Sequence, residues 1–182
     1  MTSRTHEAGA VAALLIVASY YPQPTMAWPT IVGLLMANTI GALLPDIDQA
    51  TNRLWDLLPG GNFFGKILRN VFLGHRTISH SLIGIGLVYY GVNWLLFKLL
   101  NTNFVDINIV VNSLMIGYLS HLILDGLTEG GLPLLWPLKW KFGFPPIKSW
   151  RIKTGRWFEN WIVFPGLVIY ILWLGVKALR II

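Results

Sequence analysis

Cysteine is absent from the 182 residues. Its absence removes disulfides, thiolate nucleophiles and thiolate metal ligands, so any bound metal must be held by His, Asp or Glu. Charge is scarce as well: Asp, Glu, Lys and Arg make up 12% of the chain, about half the share in a soluble domain. Together with 54% hydrophobic residues, that scarcity excludes an ordinary water-soluble enzyme and a disordered polar tail. No HExxH pair is present, which argues against a zincin-type intramembrane protease. The first apolar stretch lacks a small-x-small cleavage site and runs into Pro22 and Pro24, so a secretory signal peptide is not expected. Internal repeats and low-complexity tracts are also missing. The net charge of +6 is unaccompanied by a basic helix or an RNA-binding signature, so nucleic acid is not an expected partner.

What the chain has is long apolar blocks. A membrane-spanning helix needs about 20 mainly apolar residues, and the stretches 28–44, 78–100, 107–125 and 161–179 meet or approach that length. A fifth, 8–21, is shorter and spans obliquely, lies shallow or is re-entrant. Pro22 and Pro24 break the chain after the first stretch, and 101–106 separates the third long block from the fourth. Two polar segments rich in Gly, Pro, Trp and basic residues remain, 45–77 and 126–160. The expected fold is therefore all-α: one membrane-embedded helical bundle over 1–182, with four to five transmembrane helices. Nine Trp and six Tyr suit interfacial anchoring.

If all five stretches cross, the N-terminal residues and both polar segments share one face. That face carries Arg4, Arg53, Lys66, Arg69, Arg76, Lys139, Lys141, Lys148, Arg151, Lys153 and Arg156, and the other receives Lys98, Lys177 and Arg180. The positive-inside rule makes the first face cytoplasmic. Excess positive charge there also attracts anionic lipid.

The four histidines, His6, His75, His80 and His121, fall at or near that same face, as do all the acidic residues except Asp106. The positive-inside rule concerns Lys and Arg, so it does not force this segregation. Three pieces carry it. In His121-Leu122-Ile123-Leu124-Asp125 the i, i+4 spacing stacks both side chains on one helical face. Imidazole with carboxylate suits Zn²⁺, Mn²⁺ or Fe²⁺, although a simple His–Asp hydrogen bond has the same spacing. In Leu44-Pro45-Asp46-Ile47-Asp48, Pro45 ends a helix near Leu44. Its two carboxylates then sit in a turn, where they can converge on a cation or remain a solvated cap. In His75-Arg76-Thr77-Ile78-Ser79-His80-Ser81 the spacing puts His75 in the loop and His80 in the first helical turn, capped by Thr77 or Ser79. Arg76 offers a planar fork for a phosphate or carboxylate, or serves topology alone. His6 gains interest only by sharing this face. Glu129 carries less weight, and Glu159, heading the last helix, complements the helix dipole.

Thr5-His6, GALLPDID (41–48), HRTISHS (75–81) and HLILDGLTEGGLPLLWP (121–137), in this order, resemble the YdjM-type family of inner-membrane proteins, grouped as candidate metal-dependent hydrolases. The matching stretches span most of the chain. That family is in turn distantly similar to the zinc-dependent phospholipase C and nuclease superfamily, all-helical enzymes with two or three zinc ions. The resemblance implies phosphoester hydrolysis without fixing the substrate. This chain lacks the fuller histidine complement of the soluble zinc enzymes, which points to one or two ions rather than three.

Together these readings lead to a membrane-bound, metal-dependent hydrolase of a lipid or other amphipathic phosphoester. Asp46, Asp48, His80, His121 and Asp125 are the expected core ligands of Zn or Mn, with His6 and His75 as further ligands or supporting groups. Arg76 is expected to hold the substrate phosphate, and Asp48 or Glu129 to act as base. Membrane lipid is the expected partner, and the site is expected to face the cytoplasm of a multi-pass cell-membrane protein. Two other classes compete. A transporter would use the His/Asp cluster as part of an ion path, and a structural membrane protein would use it only to tie helix ends together.

Overall fold

The computed structural model describes residues 1–21, 25–47, 53–56 and 78–179. These build five long helices: α1 Ser3–Tyr20, α2 Trp28–Leu43, α3 Leu82–Leu99, α4 Ile107–Gly126 and α5 Phe164–Leu179. No strand occurs among the described residues, only two isolated bridges, Thr128 with Ile152 and Leu132 with Phe142. Four segments are long and apolar enough to cross a membrane: Trp28–Asp46, Leu82–Leu99, Ile107–Gly126 and Glu159–Lys177. The chain is a helical membrane bundle, as its apolar blocks indicate.

The bundle is organised around α4, which packs against α1, α2 and α3. Small residues set the α2–α4 seam. A Cβ on Gly41 would run into the Leu114 carbonyl oxygen, and one on Gly117 into the Asn38 carbonyl oxygen, so both positions require glycine for the backbones to touch. Two side chains bond across that contact. Asn38 Nδ2 donates to the Ser113 carbonyl at 3.1 Å, and Ser113 Oγ donates to the Leu34 carbonyl at 2.7 Å. Ala37, Val110, Val111, Leu114 and Met115 fill the core around it, with α3 residues such as Val88 and Val92 packed outside.

Three boundaries differ from those read off hydropathy. The first helix begins at Ser3 rather than at residue 8, because a carboxylate from far along the chain stabilises its polar first turn. The third begins at Leu82 rather than at 78, and its cap is Ser81, not Thr77 or Ser79: Ser81 Oγ accepts from Gly84 N at 3.1 Å. Ile78–His80 forms a tight 3₁₀ turn ahead of that cap, closed by Ser81 N donating to the Ile78 carbonyl at 3.0 Å. The last helix is preceded by a π-helical turn, Glu159–Val163.

Asp106 caps the opposite end of α4, its carboxylate accepting from Ile109 N at 3.2 Å. Asp106 and Asp125 therefore stand about 28 Å apart along the helix axis at 1.5 Å per residue. That separation keeps Asp106 away from every other acidic group placed by the helices. The segment between Gly126 and Glu159 is folded upon itself at the Asp125 end. Leu132 and Phe142 exchange backbone hydrogen bonds at 2.7 and 2.8 Å. The Arg151 guanidinium donates to the carbonyls of Gly143, Pro145 and Pro146. Arg151, counted among the topology-setting cations from sequence, is thus a fastener of this segment.

A buried histidine and aspartate cluster as candidate metal centre

The side chains of the cluster are brought together by two 3₁₀ turns and two helices. The α2 helix tightens into a 3₁₀ turn, Leu44–Asp46, at Pro45, and this turns Asp46 back over the end of the bundle. Trp55, itself buried, donates its indole N–H to the Ile47 carbonyl at 3.1 Å and holds that turn in place. His80 ends its own 3₁₀ turn, which is fastened from α4 by the Tyr118 hydroxyl donating to the Ser79 carbonyl. His121 and Asp125 stand one turn apart on α4, as their spacing indicates, and His6 enters from the first turn of α1.

The four residues Asp46, His80, His121 and Asp125 each offer one ligand atom, and these atoms lie within 4.8 Å of one another. His80 Nε2 is 3.5 Å from Asp46 Oδ1 and 3.7 Å from Asp125 Oδ2. His121 Nε2 is 3.7 Å from Asp46 Oδ1 and 3.9 Å from Asp125 Oδ2. Tetrahedral bonds of about 2.0–2.1 Å place ligand atoms about 3.3–3.4 Å apart, so a small contraction of this set would close it on one ion. His80, His121 and Asp125 are fully buried and Asp46 keeps a partly open edge.

The orientation of His121 is the most informative detail. Its Nδ1 lies 2.6 Å from the Ala42 carbonyl, and a carbonyl can only accept, so Nδ1 carries the proton. In the neutral ring Nε2 is then an unprotonated lone pair, buried, with no hydrogen-bond partner among the described residues and aimed between two carboxylates. A ligating histidine commonly has its other nitrogen fixed by just such a carbonyl. His80 is oriented comparably, its Nδ1 being 3.0 Å from Ser79 Oγ. Two carboxylate oxygens so close in a mostly buried place repel one another, and a divalent cation between them would offset that repulsion.

His6 flanks this group. Its ring stacks on His121 with centroids 3.6 Å apart and planes 11° from parallel. Its Nε2 is 3.3 Å from Asp125 Oδ1, the oxygen that also meets the Met1 nitrogen. Asp125 therefore presents Oδ2 to His80 and His121, and Oδ1 to α1.

One contributor carries far more than the low weight its sequence position gave it. Glu159 is completely buried and does far more than complement its own helix. Its Oε1 accepts from Thr2 N at 2.6 Å, Thr2 Oγ1 at 2.8 Å and Thr5 Oγ1 at 2.8 Å, and its Oε2 accepts from Gly155 N at 2.7 Å. These bonds satisfy the N–H of Thr2, the residue just ahead of α1, and fix the turn that carries His6. Thr2 and Thr5 lie 157 and 154 residues away in sequence; a carboxylate beside the Thr5-His6 pair could not have been read from spacing.

Among the expected site residues, the structure brings together His6, Asp46, His80, His121 and Asp125. It does not bring Glu129 into the group: Glu129 is partly exposed, 3.9 Å from Lys153 Nζ. Asp48, His75 and Arg76 lie outside the described residues. His80 belongs to the turn ahead of α3 rather than to its first helical turn.

Comparison with known proteins agrees with this assembly at the level of family. The chain is 32% identical to the uncharacterized protein YvsG of Bacillus subtilis (strain 168) over 170 residues, covering 93% of this chain and 91% of that one. It is 26% identical over 181 residues to the inner membrane protein YdjM of Escherichia coli (strain K12), covering 96% and 83% respectively, and equally to its counterpart in Shigella flexneri. No solved structure matches the chain. The family model for YdjM inner membrane proteins matches residues 1–181, and the chain belongs to that family.

Proposed function

We propose that this protein is a membrane-bound, metal-dependent hydrolase that cleaves a phosphoester in a lipid or other amphipathic substrate. The observation that carries the reading is the His121 Nε2 lone pair, fixed by the Ala42 carbonyl and buried beside Asp46, Asp125 and His80. Two imidazoles and two carboxylates form a donor set suited to Zn²⁺, with Mn²⁺ the alternative. In this reading Asp46, His80, His121 and Asp125 hold one ion, and His6, on the second oxygen of Asp125, either supports it or serves a second. When bound, such an ion lowers the pKa of water toward neutrality and polarises phosphoryl oxygens.

The residues around it supply position. Ala42 and Ser79 orient the two imidazoles, Glu159 holds the turn bearing His6, and the half-open edge at Asp46 admits substrate. Asp48 and His75 remain proposed further ligands, and Arg76 the proposed phosphate clamp, from their place in the sequence. As base, Asp48 is favoured over Glu129, whose carboxylate sits with Lys153. A site where membrane helices end would let a headgroup enter while the apolar tail stays in the leaflet. The basic residues of the flanking segments orient that face to the cytoplasm by the positive-inside rule. Likeness to zinc-dependent phospholipases and nucleases supports the reaction class only by analogy. A transport path is less well supported, since His6, Asp46, His80, His121 and Asp125 gather at one end of the bundle, far from Asp106 at the other.

The deciding measurement is the metal content of detergent-purified protein, wild type beside Asp125→Asn. One or two equivalents of Zn or Mn are expected in wild type, with binding at least about 100-fold weaker in the variant; even supporting groups of metal ligands are worth about 10–100-fold. A wild type that neither carries nor takes up either metal would overturn the reading.

A further inference from the structure

The segment from Leu127 to Phe158 takes no part in the cluster, yet its surface has a repeated composition. Lys139-Trp140-Lys141, Lys148 with Trp150, and Arg156-Trp157 each set a tryptophan beside one or two cations, all exposed. The three indoles are 66%, 72% and 65% exposed, far more than a folded segment leaves uncovered in water at about 25 cal/mol per Å². The segment is not a loose tether. Arg151 gathers three of its carbonyls, backbone pairs join Leu132 to Phe142 and Thr128 to Ile152, and Leu132 is buried against Tyr118 and Leu122. Its display of aromatic and basic groups is therefore fixed by the fold.

Position and charge select the partner. Both ends of the segment are the ends of membrane-spanning helices, Gly126 and Glu159, which confines it to the membrane surface. Exposed indoles belong there, with the ring among acyl-chain ends and the N–H toward water. Its one acidic residue, Glu129, already faces Lys153 at 3.9 Å, and Lys139, Lys141 and Lys148 have no ion pair among the described residues. Anionic headgroups would meet them at about 1 kcal/mol per Lys or Arg. We propose that residues 127–158 form a binding surface for anionic phospholipid headgroups, built from paired tryptophans and lysines beside the end of α4. The surface concentrates anionic lipid around the bundle end that carries the His/Asp cluster. It stands independently of any metal, because none of its residues belongs to that cluster.

The test uses the full chain reconstituted in phosphatidylcholine bilayers, with spin-labelled phosphatidylglycerol or spin-labelled phosphatidylcholine as the probe. Boundary lipid is measured by electron paramagnetic resonance. Wild type is expected to select phosphatidylglycerol about fivefold, the equivalent of one full lysine contact, and to lose most of that selection in 1 M salt. Lys139→Gln/Lys141→Gln/Lys148→Gln should bring the ratio to about one while thermal unfolding stays unchanged, since these side chains touch solvent rather than the core. Trp140→Ala, a second variant in the same patch, should weaken retention of both labelled lipids. No preference in wild type, or a preference that survives the triple substitution, overturns the proposal. So does tight binding of a fluorescent oligonucleotide that the triple variant loses while the lipid ratio is unchanged, which would assign the surface to nucleic acid.

Discussion

The α3 and α4 helices are close in length, 18 and 20 residues, and both are apolar enough to span a membrane. Yet 61% of the α4 spanning window is buried inside the protein and only 6% of the α3 window. Hydropathy cannot distinguish them, because lipid accepts apolar side chains as readily as a protein core does. Small and polar residues make the difference. Ser113, Gly117, His121 and Asp125 give α4 close approach and hydrogen bonds to its neighbours. Along α3, Leu87, Tyr90, Trp94 and Leu99 are turned outward, and Gly84 is its one buried residue. In a bilayer, where burial of apolar surface drives little helix association, such residues decide which helix lies at the centre.

That contrast can be broken most severely at Gly117. Gly117→Val would drive a side chain into the Asn38 carbonyl across the α2–α4 seam, and backbone cannot yield there as a flexible side chain could. A loss of about 3 kcal/mol or more is expected, at or above the upper end of overpacking penalties. It should be read as loss of the monodisperse folded protein in detergent, or as a collapse of its thermal midpoint. A second, smaller break is available at the π-helical turn ahead of α5. Glu159→Gln keeps the shape but removes the charge that accepts from Thr2, Thr5 and Gly155. A stability loss of about 1–3 kcal/mol is expected, together with metal uptake weakened by about 10-fold if His6 is held as proposed. Unfolding curves and a metal titration on the same preparation separate the two effects. At the far end of the scale, Leu87→Ala on the outer face of α3 should change stability by less than about 0.5 kcal/mol. A larger loss at Leu87 than at Glu159 would mean that α3 has a partner the monomeric bundle does not show.

Much of this organisation was legible in the sequence, and unevenly so. The spans could be found because crossing a bilayer demands length and apolarity, which are local properties. The pairing of His121 with Asp125 was legible for a similar reason, as was the turn at Asp46, since helical period and Pro45 act over a few residues. The start of α1 was not. Ser3 to Glu7 is polar, and only the Glu159 carboxylate makes it a stable helical turn. The cap of α3 was misplaced by a few residues because Thr77, Ser79 and Ser81 are chemically equivalent candidates. Only the fastening of the 3₁₀ turn, through Tyr118 and the Ser79 carbonyl, selects Ser81. Glu129 shows the converse error. Its nearness in sequence to Asp125 suggested a shared site, but the chain turns after Gly126 and delivers it to Lys153 at the surface.

The contact between Glu159 and the first turn of α1 also bears on the order in which the chain can mature. His6 leaves the ribosome well before Glu159, which follows after α2, α3 and α4. Until Glu159 arrives, the Thr2 N–H and the paired Thr2 and Thr5 hydroxyls lack the carboxylate that gathers them, and the first turn of α1 lacks its fixed seat over Asp125. The cluster is thus closed by a latch that the chain delivers late. A nascent chain interrupted between Asp125 and Glu159 carries both aspartates and the histidines in order, but not the assembled site.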